Sequence, residues 1–384
     1  MEILFLVVGV LAGAIFGVLA DLLFRHIFLR FILNIKRIVA RFAKHADPLA
    51  GKPNQLKFGN VITDWVALHG TGDLPLNSQH LRADLSEEFI YLPPELNAIR
   101  EEVKREMEEK ELNVNSDIWN GQRFSLVKFY PTRYGIHEEF GLNFEFKLTD
   151  YAAYIGITRK ADQIGLIKDS ANNPTTIREK YFPRFDPNIP NPFLTHSFGI
   201  NLLVITKDHK VLIVQRSPYV AERKMFYSIS VNESMQYPQD IDETGKPSFV
   251  KTAIRGLWEE LGIEFVALDL NIKSIEFLNF GAVAHANEYA ILGRIKLPVS
   301  ALEVEETHHL RGKDAGLEIK AELYAVDYLP DAILEFISMH SPWVDNGLAT
   351  LYYAMVREWG YWEVKSAFSR NPLKWEIRQE EGFK

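Results

Sequence analysis

The sequence predicts an α/β fold for its C-terminal part, preceded by an α+β extension and an N-terminal transmembrane helix. Three observations carry this expectation. Ser248 to Phe265 reads as a short helix with a stop: Ser248 is placed to cap its start and Gly262 to close it. Gly199 to Thr206 and Lys210 to Gln215 are apolar runs joined by a Lys-Asp-His turn, the pattern of a β-hairpin. Ile3 to Phe24 is almost continuously apolar, with Asp21 its only charge. The organisation expected is a membrane segment at 1–46, an α+β extension at 47–195 and an α/β domain at 196–384.

Taken in order, the 22 residues of the apolar run would span about 33 Å as a helix, enough for a bilayer core. Glu2 precedes the run, and Arg25, Arg30, Lys36, Arg37, Arg41 and Lys44 follow it. That asymmetry predicts an outward N-terminus, a single pass through the inner membrane and the remaining chain in the cytoplasm. Gly9, Gly13 and Gly17 share one helix face, which suits self-association in the lipid bilayer but is also a frequent composition of membrane helices. Residues 25–45 read either as an interfacial amphipathic helix or as a continuation of the span.

Asp47 to Pro53 is a breaker-rich linker. Pro94 to Glu111 is a charged helix opened by its proline; Arg123 to Phe129 and Phe140 to Leu148 alternate as half-buried strands do. Asn172 to Pro192, rich in Asn and Pro, reads as a long loop. Further strands are expected at Phe226–Val231, Ile272–Ala284, Glu288–Leu297 and Glu322–Tyr328, and helices at Pro330–Met339 and Gly347–Trp359. Within the helix after Ser248, Ile254, Leu257, Trp258 and Leu261 fall at helical spacing and are expected to face a core.

The composition narrows the chemistry. At 384 residues, 47% hydrophobic and 24% charged, the chain is ordinary for a folded protein. Its net charge of −8 argues against general nucleic-acid binding. With no cysteine there is no disulfide and no thiolate metal site. Arg255 and Glu259 stand four apart with Glu260 beside them, so two carboxylates and a guanidinium gather at one end of a helix. The bland reading is a solvated helix face, where such pairs are common.

Arg255-Gly256-Leu257-Trp258-Glu259-Glu260-Leu261-Gly262-Ile263 resembles the second half of the Nudix box, whose pattern is Arg-Glu-aliphatic-any-Glu-Glu-any-Gly-aliphatic. Arg255, Leu257, Glu259, Glu260, Gly262 and Ile263 match. Gly256 replaces the first Glu of that helix, and Pro247 and Ile241 occupy the upstream Glu and Gly positions. The resemblance covers roughly 199–359 and implies an α/β/α sandwich around a mixed sheet. It implies Arg255, Glu259 and Glu260 as catalytic residues, with Mg²⁺ or Mn²⁺ on Glu259 and Glu260. Glu233 either joins them as a metal or substrate ligand in place of the family's loop acid or is an ordinary loop residue. Arg216, closing the second hairpin strand, either reaches a phosphate or is a surface arginine. Glu303 to His309 either supplies a late acid or is a solvated acidic loop. Tyr219, Tyr227, Trp258 and Trp343 either stack on a base or belong to the core.

An N-terminal span before a divergent Nudix domain resembles the membrane-anchored Nudix sensors associated with nucleotide second-messenger synthetases (SMODS-associated type). That resemblance implies recognition of a nucleotide or cyclic oligonucleotide in bacterial anti-phage signalling. An active Mg²⁺-dependent hydrolase of nucleoside-diphosphate-linked compounds and an interaction protein that only borrows the fold are the alternatives.

Overall fold

Residues 55–113, 120–182, 186–218, 223–264, 272–311 and 323–373 are described by the computed structural model. The apolar run at 3–24, its Gly9, Gly13 and Gly17, and residues 25–45 lie outside the described residues. Among the described residues no helix is long and apolar enough to cross a membrane.

β1 (Gln55–Phe58) and β2 (Val61–His69) form an antiparallel pair, followed by β3 (Leu81–Phe89) and α1 (Pro94–Asn113). A long hairpin follows, β4 (Gln122–Tyr134) and β5 (Glu139–Asp150). Both strands run past the alternating cores that predict them, because their cross-strand pairing continues to Tyr134↔Glu139. After a π-helical turn at Tyr154–Thr158 come β6 (Ile167–Lys168), β7 (Pro174–Thr175) and α2 (Ile177–Tyr181). The expected loop at 172–192 is therefore partly ordered. Thr176 caps α2 through a reciprocal bond set with Glu179, which offsets the turn's short length.

The C-terminal part runs β8 (Phe198–Ile205), β9 (Lys210–Gln215), β10 (Tyr227–Ile229), β11 (Val231–Ser234), β12 (Gln236–Tyr237) and α3 (Phe249–Leu261). It continues with β13 (Ile275–Val283), β14 (Glu288–Lys296), α4 (Ala301–Arg311), β15 (Leu323–Asp327), α5 (Pro330–Met339), α6 (Asp345–Trp359) and α7 (Tyr361–Arg370). α4 replaces the acidic loop expected at 303–309. Ser300 and Glu303 cap it by exchanging bonds, and Val304 packs inward, buried.

The large sheet is mixed. Its order is β1-β2-β13-β14-β8, with β14 and β8 parallel and the remaining neighbours antiparallel. β8 and β9 pair only at Ile205↔Val211 and then part; β11 continues beside β8, while β10 and β15 flank β9. Alternation along β8 assigns the two faces. Ile200, Leu202 and Val204 join Leu257 and Leu261 of α3, whereas Leu203 and Ile205 join Leu348, Leu351 and Met355 of α6. Helices thus cover both faces, as an α/β sandwich requires.

On the α3 side a second sheet, β12-β4-β5-β3, adds a further layer. Phe144 and Phe146 from that sheet meet Phe198, Phe249 and Phe280 in edge-to-face contacts, a geometry that aromatic quadrupoles favour, and Phe124 packs edge-on against Phe146. The sheets do not divide at residue 195. β2 pairs with β13, and β12 pairs with β4, so each sheet draws strands from both sides of that boundary.

Candidate functional site

α3 is fixed at both ends by the residues that predict it. The Ser248 side chain accepts from Lys251 N, and Gly262 adopts φ 69°, a left-handed turn that costs glycine little. The buried stripe is Phe249, Thr252, Ala253, Gly256, Leu257, Glu260 and Leu261. Ile254 is only partly buried and Trp258 is 37% exposed, so neither is central to the core. Burying Leu257 and Leu261 stabilises the docked helix by about 1.5–3 kcal/mol each.

Gly256 sits in that stripe directly over β11. A Cβ there would meet Val231 Cγ1 at 2.6 Å and Glu233 Cβ at 2.9 Å. The glycine therefore lets α3 press onto the strand, and β11 side chains occupy the space that a side chain at 256 would need. This accounts for a residue that weakens a helix interior by roughly 1 kcal/mol relative to Ala.

The close approach gathers charge around Arg255. Its Nη1 donates to Glu259 Oε2 and meets Glu233 Oε1, each at 2.8 Å. Its Nε and Nη2 grip both oxygens of Asp240 at 3.0 and 2.8 Å, and Nη2 also donates to the Ser234 carbonyl at 2.7 Å. Burial works against the guanidinium's charge, but Glu233, Asp240 and Glu259 outweigh it and hold its pKa well above the usual value. Asp240 is fully buried and also accepts from Gln236 N. It thereby ties α3 to β12 and, through β12, to β4.

The structure brings Glu233, Arg255 and Glu259 together as the sequence suggests. Glu260 turns elsewhere: it is buried, and its Oε1 accepts from Asn232 N at 2.8 Å. His308 Nδ1, from α4, donates to the Glu260 carbonyl and closes the end of α3. Glu303, Glu305 and Glu306 are exposed on α4. Arg216 lies at the end of β9, whose partners are β10 and β15, while the ring is built from α3, β11 and residues 234–240. Tyr227 and Trp343 belong to the core under α6, and Tyr219 lies outside the described residues. Sequence reasoning missed Asp240. The signal available was an acid-rich insert, Gln236 to Lys246, beside a helix arginine that burial would oblige to find several carboxylates.

These residues do not fit a divalent ion. Mg²⁺ takes near-octahedral oxygen ligands held open toward it. Here Glu233, Asp240 and Glu259 converge on a guanidinium and Glu260 on a backbone amide. Among the described residues no group of three or more His, Asp or Glu is placed to hold a metal. Of the expected ligand set Glu233, Glu259 and Glu260, the structure places two as Arg255 partners and the third against β11.

No protein-family profile matches this chain. No curated protein matches it either. Among solved structures it is similar to DR0079 from Deinococcus radiodurans, with 14% identity and a TM-score of 0.29 over 48% of this chain and 94% of that one. It is similar to Tm1382, a protein provisionally assigned as a Nudix hydrolase, with 16% identity and a TM-score of 0.25 over 41% and 70%. NrtR from Shewanella oneidensis, solved with a 27-mer DNA, shares 14% identity and a TM-score of 0.26 over 46% and 78%.

Proposed function

We propose that this chain recognises a nucleotide through a divergent Nudix-like domain and does not turn it over in a metal-dependent reaction. The observation that supports this reading is the closed ion ring around Arg255. Phosphoryl-transfer chemistry of this class needs metal-held phosphates and a positioned water. The carboxylates that would supply both are instead engaged by one guanidinium, and Gly256 leaves no room for the acid that the box pattern places beside it. In this reading the ring is a structural clamp that joins α3, β11 and the 235–247 segment.

The apolar run at 3–24 extends the proposal to a membrane-anchored sensor or effector in bacterial anti-phage signalling, with a nucleotide second messenger as ligand. Such a switch acts only if the ligand prefers one of two states of the protein. The competing reading, a Mg²⁺-dependent hydrolase, has in its favour the retained Arg255, Glu259, Glu260 and Gly262. One experiment separates the two. The full-length chain in detergent is titrated with linear, dinucleotide and cyclic nucleotides in Mg²⁺ or Mn²⁺, and the same samples are then chromatographed. The expected result is binding with the nucleotide recovered intact. Metal-dependent release of a monophosphate, abolished in Glu259→Gln, would establish the hydrolase.

A further inference from the structure

Glu288, the first residue of β14, is met by charged and polar groups from two other stretches of the chain, outside the Arg255 ring. Tyr154, from the π-helical turn, donates its hydroxyl to Glu288 Oε1 at 2.6 Å. Arg159, which closes that turn, brings Nη1 to 3.7 Å from the same oxygen. Arg223, between β9 and β10, brings Nη2 to 3.5 Å from Oε2. Burial alone would raise the Glu288 pKa, but Arg223, Arg159, the Tyr154 hydroxyl and His285 outweigh it and hold it below the usual value. A negative charge is therefore favoured at this point, although the group that carries it is largely covered.

The carboxylate fits that place poorly. Committed guanidinium–carboxylate pairs close to about 2.7–2.9 Å. Arg255 with Glu259 and Arg294 with Glu358 do so, at 2.8 and 2.7 Å. Arg159 and Arg223 both stand well outside that range from Glu288. The nearby acids have other partners: Asp64 meets His285 Nδ1 at 2.6 Å, Asp162 is gripped by Arg178, and Asp345 accepts from Asp64 N. Arg223 also adopts φ 48°, a left-handed backbone that costs a residue with a side chain, and such strain concentrates at ligand clamps. The place is reachable from solvent. The Glu288 side chain is 15% exposed, and those of Asp64 and His285 are 30% and 34% exposed.

The donor set defines what would fit better. Two guanidiniums and a phenol converge on one point, so a cation is repelled and an apolar group leaves the donors unanswered. An oxyanion with more charge and more acceptors than a carboxylate suits them. A phosphate monoester carries about −1.5 to −2 charges at neutral pH and three acceptor oxygens, enough to take the hydroxyl and both guanidiniums together. We propose that Tyr154, Arg159 and Arg223 form a phosphate cradle in which Glu288 is a built-in stand-in that the ligand displaces. That the phosphate belongs to a nucleotide rests on the nucleotide-recognition reading above.

The test is calorimetry of the full-length chain in detergent with EDTA, titrated with inorganic phosphate, the four 5′-mononucleotides and their cyclic dinucleotides. Glu288→Gln keeps the shape and removes the competing charge, so phosphate should bind at least tenfold tighter than to wild type. Adding Arg223→Gln should return it to wild-type affinity or weaker. If Glu288→Gln does not fold, Arg159→Gln in the otherwise wild-type chain gives a second reading: phosphate should raise the melting temperature of wild type and not of this variant. Unchanged phosphate affinity in folded Glu288→Gln, or an equal rise in wild type and Arg159→Gln, would overturn the cradle and leave Glu288 a structural partner only. Nucleotides that bind without responding to these substitutions would likewise overturn the cradle while the nucleotide reading stands. The expected phosphate response with no nucleotide bound would support the cradle as a site for free phosphate and overturn the nucleotide reading.

Discussion

The two faces of the large sheet both pair a buried arginine with carboxylates, Arg255 under α3 and Arg294 with Glu276 and Glu358 at α6, but they differ in what is left over. Under α3, a buried arginine is met by three carboxylates and a carbonyl, and the neighbouring Glu260 is met by a backbone amide. Under α6, an amide with no exposure has neither its donor nor its acceptor met among the described residues. The α3 face is therefore saturated around Arg255 and Glu260, whereas the α6 face combines a paired ion network with an amide left unmet among the described residues.

The sharpest way to break this contrast is to remove Arg255. Arg255→Met leaves Glu233, Asp240 and Glu259 buried without their cation, and stability should fall by about 3–5 kcal/mol. Urea denaturation of the full-length chain checks this. A loss under about 1 kcal/mol would mean that the ring behaves as an exposed ion pair, and the saturation argument would fail.

A second prediction concerns the junction between the two sheets. His196, fully buried ahead of β8, bonds Thr149 of β5 and the Phe193 carbonyl. Burial lowers its pKa from the ordinary histidine value of 6.5 to about 4, with only partial compensation from the Phe193 carbonyl and Asp150. The unfolded chain therefore binds the proton more readily. This contribution to stability is complete above pH 6.5 and is lost as pH falls toward 4, at up to about 1.4 kcal/mol per pH unit. Denaturation midpoints at pH 7, 6 and 5 should decline, and His196→Asn should flatten that decline. Equal slopes in the two proteins would remove His196 as the cause.

The smallest effect is the most specific to the α3 face. In an open helix Gly256→Ala would stabilise by roughly 1 kcal/mol. Against Val231 and Glu233 the added methyl overpacks, which typically costs about 1–3 kcal/mol, so the net change should be destabilising. A variant more stable than wild type would show that α3 is not pressed onto β11 as described.

What the sequence made legible was local. α5 is read to the residue because Pro330 sits at its first position, and α3 because Ser248 and Gly262 cap it within the chain that they terminate. β13 and β14 follow from their apolar runs. What stayed hidden was set across distance. β2 joins β13 more than two hundred residues away, a pairing that no window along the chain contains. Asp240 reaches Arg255 only after β12 and the 238–247 turn have folded back, and the acid then resembles any other in a polar insert. The role of Gly256 is a distance between a helix and a strand, which the sequence does not carry. Ile254 and Trp258 sit one position round from the buried stripe; helical spacing alone did not separate its rim from its centre. The contents of the candidate site were thus largely visible, and their engagement with one another was not.

The most direct measurement is a titration of the full-length chain with Mn²⁺, followed by electron paramagnetic resonance of the free ion. With Glu233 and Glu259 on Arg255 and Glu260 on Asn232, no stoichiometric site tighter than about millimolar is predicted. A stoichiometric micromolar site, abolished in Glu233→Gln or Glu259→Gln, would contradict the account and return the α3 face to catalysis.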